Sequence, residues 1–328
     1  MSCCRGQHES ARCREKVRVL VLMGGPDAER EVSINSGTEV ARALRASAAF
    51  EVEELLIDRP TAQELSRPRA DVIFPVLHGP FGEGGPLQEI LEQVGVPYVG
   101  CGPKAAALAI DKVATKATVA KAGVRTPSAC ELLPGVPLEI APPIVIKPIN
   151  DGSSVDLRIC HTGAELASAR AELEAKRGRL FAESFIKGRE VTVGIIDGVV
   201  LPIIEILPAV AFYDYEAKYT RDDTKYILDP TFAPGVRETL ITSTRLAWEA
   251  VGCRDIARAD FMVDERGAWF LEINTMPGMT THSLVPKAAL HIGLPMPQLC
   301  ARLVDCALSR ENSARAPARF NDFASPSR

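Results

Sequence analysis

Three absences narrow the field first. The 328-residue chain has no apolar run near the roughly 18 residues that a membrane helix needs. Its longest, Val17 to Met23 and Ile203 to Phe212 broken by Glu205, fall well short, so the chain is not expected to be embedded in a membrane. It has no basic surplus: 38 Lys and Arg stand against 42 Asp and Glu, for a net charge of −4 and a pI near 5.9. A nucleic-acid partner is therefore not expected, because binding to a phosphate backbone calls for a concentrated basic face. It has no C-x-x-C spacing: the cysteine count is nine, and Cys101, Cys130, Cys160, Cys253, Cys300 and Cys306 are scattered. That distribution fits reduced, buried thiols and a cytoplasmic location.

Several motifs are missing as well. Residues 1–15 have no apolar core, so they do not read as a secretory signal and are expected to be a disordered leader. Cys3, Cys4, Cys13 and His8 make a weak metal tag the alternative there. No internal repeat is present. There is no G-x-x-x-x-G-K-[ST] string for a Walker-type phosphate loop, and Gly24-Gly25 is not continued by the glycine spacing of a dinucleotide-binding oxidoreductase.

What is present is an ordinary globular composition, 46% hydrophobic and 24% charged, enough for two or three packed domains. Residues 16–101 alternate strand and helix signals: Lys16 to Met23, Val52 to Ile57 and Asp71 to Leu77 read as strands and Ser36 to Leu44 as a helix. That pattern is an open α/β unit, whose ligands collect where strands end, here at Gly24-Gly25 and His78-Gly79. Residues 102–186 begin with a helical stretch from Lys104 to Ala122 and continue into the strand Ile144 to Lys147. Residues 187–310 carry further strands, a helix near Glu238 to Val251 and a hairpin at Ile256 to Ile273, and 311–328 compose a disordered tail.

The hairpin carries the clearest chemistry. Period-2 alternation puts Arg258, Asp260 and Met262 on one face, and Phe270, Glu272 and Asn274 share a face of the returning strand. Two carboxylates and an amide oxygen without His or Cys select Mg²⁺ or Mn²⁺, which keeps waters and bridges phosphates. A solvated strand face is the alternative. Lys147 at the end of an apolar strand and the loop Asp151-Gly152-Ser153-Ser154 add phosphate-oriented groups, since consecutive amides and hydroxyls can cradle an anion. A strand lysine, a Gly/Ser loop and a distant metal set indicate a nucleotide site of non-Walker architecture.

Five ordered strings then carry a resemblance: Gly24–Ser33 (GGPDAEREVS), His78–Gly85 (HGPFGEGG), Lys147-Pro148 with Gly152–Val155, Tyr213–Tyr219 (YDYEAKY) and Glu272–Ser283 (EINTMPGMTTHS). The chain resembles the ATP-grasp fold and, within it, the D-alanine–D-alanine ligase family from about residue 17 to 308. The fold class so implied is α/β (α+β), an ATP-grasp fold with a Rossmann-like N-terminal domain. The resemblance implies ATP-dependent ligation of two D-alanines through an acyl phosphate, with ATP and two Mg²⁺ or Mn²⁺ ions as cofactors, and leaves a homodimer open. A D-alanyl-D-lactate or D-alanyl-D-serine ligase, or a non-catalytic nucleotide-binding regulator, is the alternative.

By resemblance, Glu29 holds the ammonium of the first D-alanine in a network with Ser153 or Ser154 and Tyr219, and His78 lies near the same substrate. Arg258 serves the oxyanion; its other role would be an ion pair with Asp260. Gly278 and Ser283 receive the second carboxylate. Lys112, Lys147, Lys218 and Gly152 contact phosphates, Glu183 and Ile186 the adenine, Glu190 the ribose, and Asp260, Glu272 and Asn274 the metal. Two positions depart from the family. Asp156 stands where relatives often have glycine, placing a charge that either slows loop closure or turns outward, and Met276 replaces a commoner Ser or Leu.

Overall fold

The computed structural model describes residues 15–133, 136–150, 156–207 and 224–315, the last five of these by backbone alone. The N-terminal unit is a parallel sheet ordered β2-β1-β3, from β1 (Val17–Gly24), β2 (Phe50–Ile57) and β3 (Val72–Pro75). β1 lies centrally, and the run Val19 to Met23 is buried on both faces, as the unbroken apolar string requires of a covered parallel strand. Helix α1 (Arg30–Arg45) packs on it, beginning further upstream than its apolar spacing indicates. Short helices α2 (Ala62–Leu65), α3 (Gly79–Glu83) and α4 (Pro86–Val94) follow. β1 ends at Gly24 with φ 102°, where a Cβ would sit 2.6 Å from the Ile57 carbonyl oxygen; only glycine lets the chain turn here.

The stretch read as one helix from Lys104 to Ala122 is two, α5 (Pro103–Ile110) and α6 (Lys112–Lys121). They break at Asp111, whose ψ of 98° is extended and whose side chain accepts from the Ala114 N–H at 2.9 Å. An aspartate that caps a helix outcompetes the continuous periodicity around it. The central sheet, ordered β4-β7-β5-β6, is antiparallel: β4 (Ala129–Leu132), β5 (Ile144–Pro148), β6 (Arg158–Cys160) and β7 (Leu180–Ser184), with α7 (Gly163–Lys176) against it. Its own core includes Leu132, Ile144, Ile146, Leu173 and Leu180.

The C-terminal sheet runs β10-β9-β8-β11-β12, from β8 (Arg189–Ile196), β9 (Val199–Leu207), β10 (Lys225–Leu228), β11 (Ile256–Asp264) and β12 (Gly267–Asn274). Helix α8 (Val236–Val251) covers one face together with α5 and α6, whose Ala105, Ala109 and Val119 share a core with Val191, Phe261 and Phe270. The other face meets α9 (Leu284–His291) and α10 (Met296–Arg315), and α10 returns to pack against α1. The fold thus closes the C-terminus onto the N-terminal unit. α10 continues to Arg315, past the boundary at 310 drawn from composition.

One strand assignment changes. A bulge after Asp260 leaves Asp260 opposite Glu272 but pairs Phe261 with Phe270. Phe270 consequently leaves the face of Glu272 and Asn274 and enters the core, where its ring meets Phe261 edge-on at 5.7 Å. Simple alternation cannot register the extra residue of a bulge.

Candidate active site

Two lysines four residues apart lie on one face of α6. Lys112 Nζ lies 3.3 Å from Glu272 Oε2 on β12. Lys116 Nζ lies 2.8 Å from Glu183 Oε2 on β7 and donates to the Phe270 carbonyl at 3.2 Å. Lys147 reaches the same carboxylate from β5, 2.7 Å from Oε1. The strand register explains this contact: Val145 faces Glu183, so Lys147 is its diagonal neighbour on the same face.

Glu183 is 3% exposed. Burial alone would raise its carboxyl, but Lys116 and Lys147 hold it down to about 2. Burial pushes the Lys116 ammonium below its ordinary value, whereas at Lys147 the burial penalty is outweighed by Glu183, Glu272 and Glu190. Two lysines share one carboxylate, an arrangement suited to meeting a polyanion. Ile186 is buried in the connection from β7 to β8, and Glu190 opens β8 within electrostatic reach of Lys147.

On the hairpin, Arg258 stands opposite Asn274 and Asp260 opposite Glu272. Arg258 does form the ion pair with Asp260, through Nε at 2.9 Å and Nη2 at 2.8 Å. Thr192, opposite Asp260 on β8, donates to it at 2.6 Å. Asn274 Oδ1 accepts from the Met276 N–H at 2.9 Å. Asp260 and Glu272 are cross-strand neighbours offering only oxygen, which fits a hard divalent cation. No group of three or more His, Cys, Asp and Glu gathers among the described residues. A site of that kind suits Mg²⁺, which completes its shell with water and substrate phosphates, better than a cation needing a full protein cage.

The ends of β1 and β3 supply the acidic side. Glu29 is the N-cap residue of α1, its carbonyl accepting the Ser33 N–H at 3.0 Å while its carboxylate makes no cap hydrogen bond. The Ser33 and Ser36 hydroxyls serve other partners: Ser33 the Gly24 N–H and the Val76 carbonyl, Ser36 the Met279 N–H at 3.2 Å. Glu83, at the end of α3, accepts from the Gly79 N–H at 3.2 Å. Burial, then the charge of Glu29, raises its carboxyl to about 8 against the pull of Arg258 and Lys112. Burial lowers the His78 imidazole, which faces Glu29, Arg258 and the Met276 backbone. Its Nε2 has no hydrogen-bond partner among the described residues, leaving a buried ring nitrogen available to a ligand.

The loop after β12 completes the arrangement. Ser283 Oγ accepts from the Thr280 N–H at 3.0 Å, and a Cβ at position 278 would sit 2.8 Å from that hydroxyl, so Gly278 keeps the approach open. Asp156 has φ 56°, a conformation natural to glycine, and Arg177 grips its carboxylate at 2.6 Å from both Nε and Nη2. Its charge is paired with Arg177, and Arg158 Nη2 lies 3.9 Å from its other oxygen. Gly152, Ser153, Ser154, Lys218 and Tyr219 lie outside the described residues.

Glu83, Lys116 and Thr192 were not singled out from sequence. Lys116 repeats Lys112 at helical spacing and Glu83 lies within the HGPFGEGG string, so both had a signal; Thr192 had none, since only strand pairing reveals its partner.

Antiparallel sheets whose lysines and carboxylates face each other through one helix, beside a parallel α/β unit, make an ATP-grasp ligase. Comparison with known proteins narrows the class. The family models described as D-ala D-ala ligase C-terminus and N-terminus match residues 113–305 and 52–101. A D-alanine–D-alanine ligase of Syntrophotalea carbinolica is 40% identical over 299 residues, covering 88% of this chain and 96% of that one. The crystal structure of a Bacillus anthracis D-alanine–D-alanine ligase complexed with ATP superposes with a TM-score of 0.80 at 30% identity, over 92% of this chain and 99% of that one. The VanG D-Ala:D-Ser ligase of Enterococcus faecalis does so with 0.79 at 26% identity, over 89% and 100%. The chain belongs to the D-alanine–D-alanine ligase family.

Proposed function

We infer that the chain joins two D-alanines into D-alanyl-D-alanine for peptidoglycan precursors in the cytoplasm, at the expense of ATP. The observation that supports this reading best is the convergence of Glu29, His78 and Glu83 on Arg258 and Lys112. It sets groups suited to an amino acid beside groups suited to a phosphoryl anion. The γ-phosphoryl of ATP passes to the carboxylate of the first D-alanine, the free amine of the second attacks the acyl carbon, and phosphate leaves.

In this reading Glu29 binds the first ammonium, with Ser153, Ser154 and Tyr219 completing its network. His78 orients the same substrate. Lys112, Lys147, Lys218 and the Gly152 amide offset charge on the phosphates, so that the transferring group meets fixed cations rather than reorganising water. Glu183 and Ile186 receive the adenine and Glu190 the ribose. Arg258 steadies the developing oxyanion with a rigid fork of donors. Gly278 and Ser283 take the second carboxylate. Asp260, Glu272 and Asn274 would hold Mg²⁺ or Mn²⁺, which when bound neutralises charge on the transferring phosphoryl.

The deciding experiment measures phosphate release from ATP with D-alanine present and absent, then identifies the product with D-alanine, D-serine and D-lactate offered together. Release that depends on D-alanine and yields the dipeptide is expected. Release indifferent to D-alanine would overturn the ligase reading, and a dominant mixed product would move the chain to one of its sister activities.

A further inference from the structure

Glu29 and His78 are separated along the chain by α1, β2, α2 and β3, yet the segments that carry them are joined directly by one carboxylate. Asp27, in the turn after β1, accepts the Phe81 N–H through Oδ2 at 2.8 Å, across 54 residues of sequence. Phe81 is the third residue of α3, so its amide is one of those a helix cannot satisfy from within. His78, directly before α3, makes no side-chain cap, the Gly79 N–H goes to Glu83, and Pro80 has no N–H to satisfy. Asp27 thus does for α3, from a distant segment, what an N-cap residue does for its own helix.

The fit is close. Gly79 has φ 78°, and a Cβ there would lie 2.7 Å from Asp27 Cβ and 2.8 Å from its Oδ2, so any side chain at 79 would push the carboxylate off the amide. In the interior, Ser33 ties the same two strand ends, accepting from the Gly24 N–H at 2.9 Å and donating to the Val76 carbonyl at 2.5 Å. The Asp27 carbonyl accepts the Arg30 N–H at 3.1 Å, which closes a turn with Glu29 inside it.

We propose that Asp27 is a positioning residue for the first substrate. By holding the turn of Glu29 against the start of α3, it sets the separation between the carboxylate that takes the ammonium and the imidazole that orients the same molecule. The proposal rests on the reading of Glu29 and His78 as first-substrate groups. His78 is buried, and its Nε2 has no hydrogen-bond partner among the described residues. A ring so enclosed cannot turn to follow a displaced ligand, so a shift of α3 passes to the substrate. Misplacement by about 1 Å is enough to cost on the order of a hundredfold in rate.

Steady-state kinetics of Asp27→Ala and Asp27→Asn, each beside its melting temperature, test this. Alanine removes the acceptor, whereas asparagine keeps an oxygen in the same place. Asp27→Ala should raise the first-site KM for D-alanine about tenfold while KM for ATP moves less than about twofold, and Asp27→Asn should restore most of the loss. A cap with a merely structural role would lower the melting temperature and leave the ratio of the two KM values alone. Equal rises in both KM values, an unchanged D-alanine KM, or an asparagine variant no better than the alanine one would overturn the proposal. Glu29→Gln, measured alongside, separates the two levels. If it leaves the D-alanine KM unchanged, the first-substrate reading fails and the proposal with it; if it raises that KM while Asp27→Ala does not, the positioning role alone fails. In the unsubstituted protein the Phe81 amide should be protected from exchange with solvent deuterium, and a freely exchanging amide would overturn the proposal even if the alanine variant does not fold.

Discussion

Replacing Glu83 with glutamine should remove a pH dependence of stability that the active site imposes on the ligand-free protein. The carboxyl is raised from 4.5 to about 8, chiefly by burial and then by Glu29. A carboxyl raised in the folded state stabilises the fold while protonated: the contribution is full below 4.5 and is lost as pH climbs through about 8. The shift corresponds to about 5 kcal/mol at most. The side chain is half-buried, and screening by the solvent that reaches it cuts the figure to about 1–2 kcal/mol. Glutamine keeps the shape, accepts the Gly79 N–H as the carboxylate does, and never ionises. Melting temperatures of Glu83→Gln and the parent should therefore coincide near about pH 5 and separate near about pH 8.5, the variant melting about 2–5 °C higher. A difference that stays constant from acid to alkaline pH would refute the assignment of Glu83 as a carboxyl raised to about 8 by burial and by Glu29.

Three further substitutions test other parts of the site. Glu272→Gln should fold normally, since its partner Lys112 can still donate to the amide oxygen, yet lose nearly all ATP turnover; wild-type turnover at limiting Mg²⁺ would remove Glu272 from the metal set. Glu29→Gln should raise KM for D-alanine at the first site far more than KM for ATP, and an unchanged D-alanine KM would exclude it. Glu183→Gln leaves Lys116 and Lys147 without their shared carboxylate, a loss of about 3–5 kcal/mol readable in urea unfolding at neutral pH. Because the Glu183 carboxyl is held at about 2, its stabilisation is present above 4.5 and fades as pH falls toward 2. The gap between parent and variant should close in acid; a gap independent of pH would contradict the ion-pair account.

The parts legible in sequence share one property: each depends on neighbours close along the chain. β1 reads as a buried strand because its run is unbroken, and Asp260, Glu272 and Asn274 fall on one side because strands alternate. The failures occurred where a distant or irregular partner decides. Phe270 changed faces because a bulge added a residue, and α5 separated from α6 because one capping aspartate overrode the periodicity. Thr192 is invisible as a site residue until the pairing of β8 with β11 brings Asp260 to it. Asp156 is a bare charge in sequence; only the fold supplies its positive φ and its ion pair with Arg177.

Helix α6 shows why the lysines, and not only the sheets, make this site. By chain order it precedes the central sheet, yet Val119 is packed in the core of the C-terminal sheet with Phe261 and Phe270. Lys112 and Lys116 project from that anchored helix to different sheets, one to Glu272 on β12 and the other to Glu183 on β7. The spacing of four residues that puts both on one face therefore fixes the separation of the carboxylates they meet. A helix strapped to one sheet by its apolar face and to the other by a buried ion pair resists relative movement of the two. Lys147 enters the same ion pair from β5, so Lys147 is registered against Glu272 through Glu183 and α6 rather than through the chain that joins the sheets. Positioning across sheets is thus supplied by a few charged contacts in a dry environment, where each is worth more than at the surface.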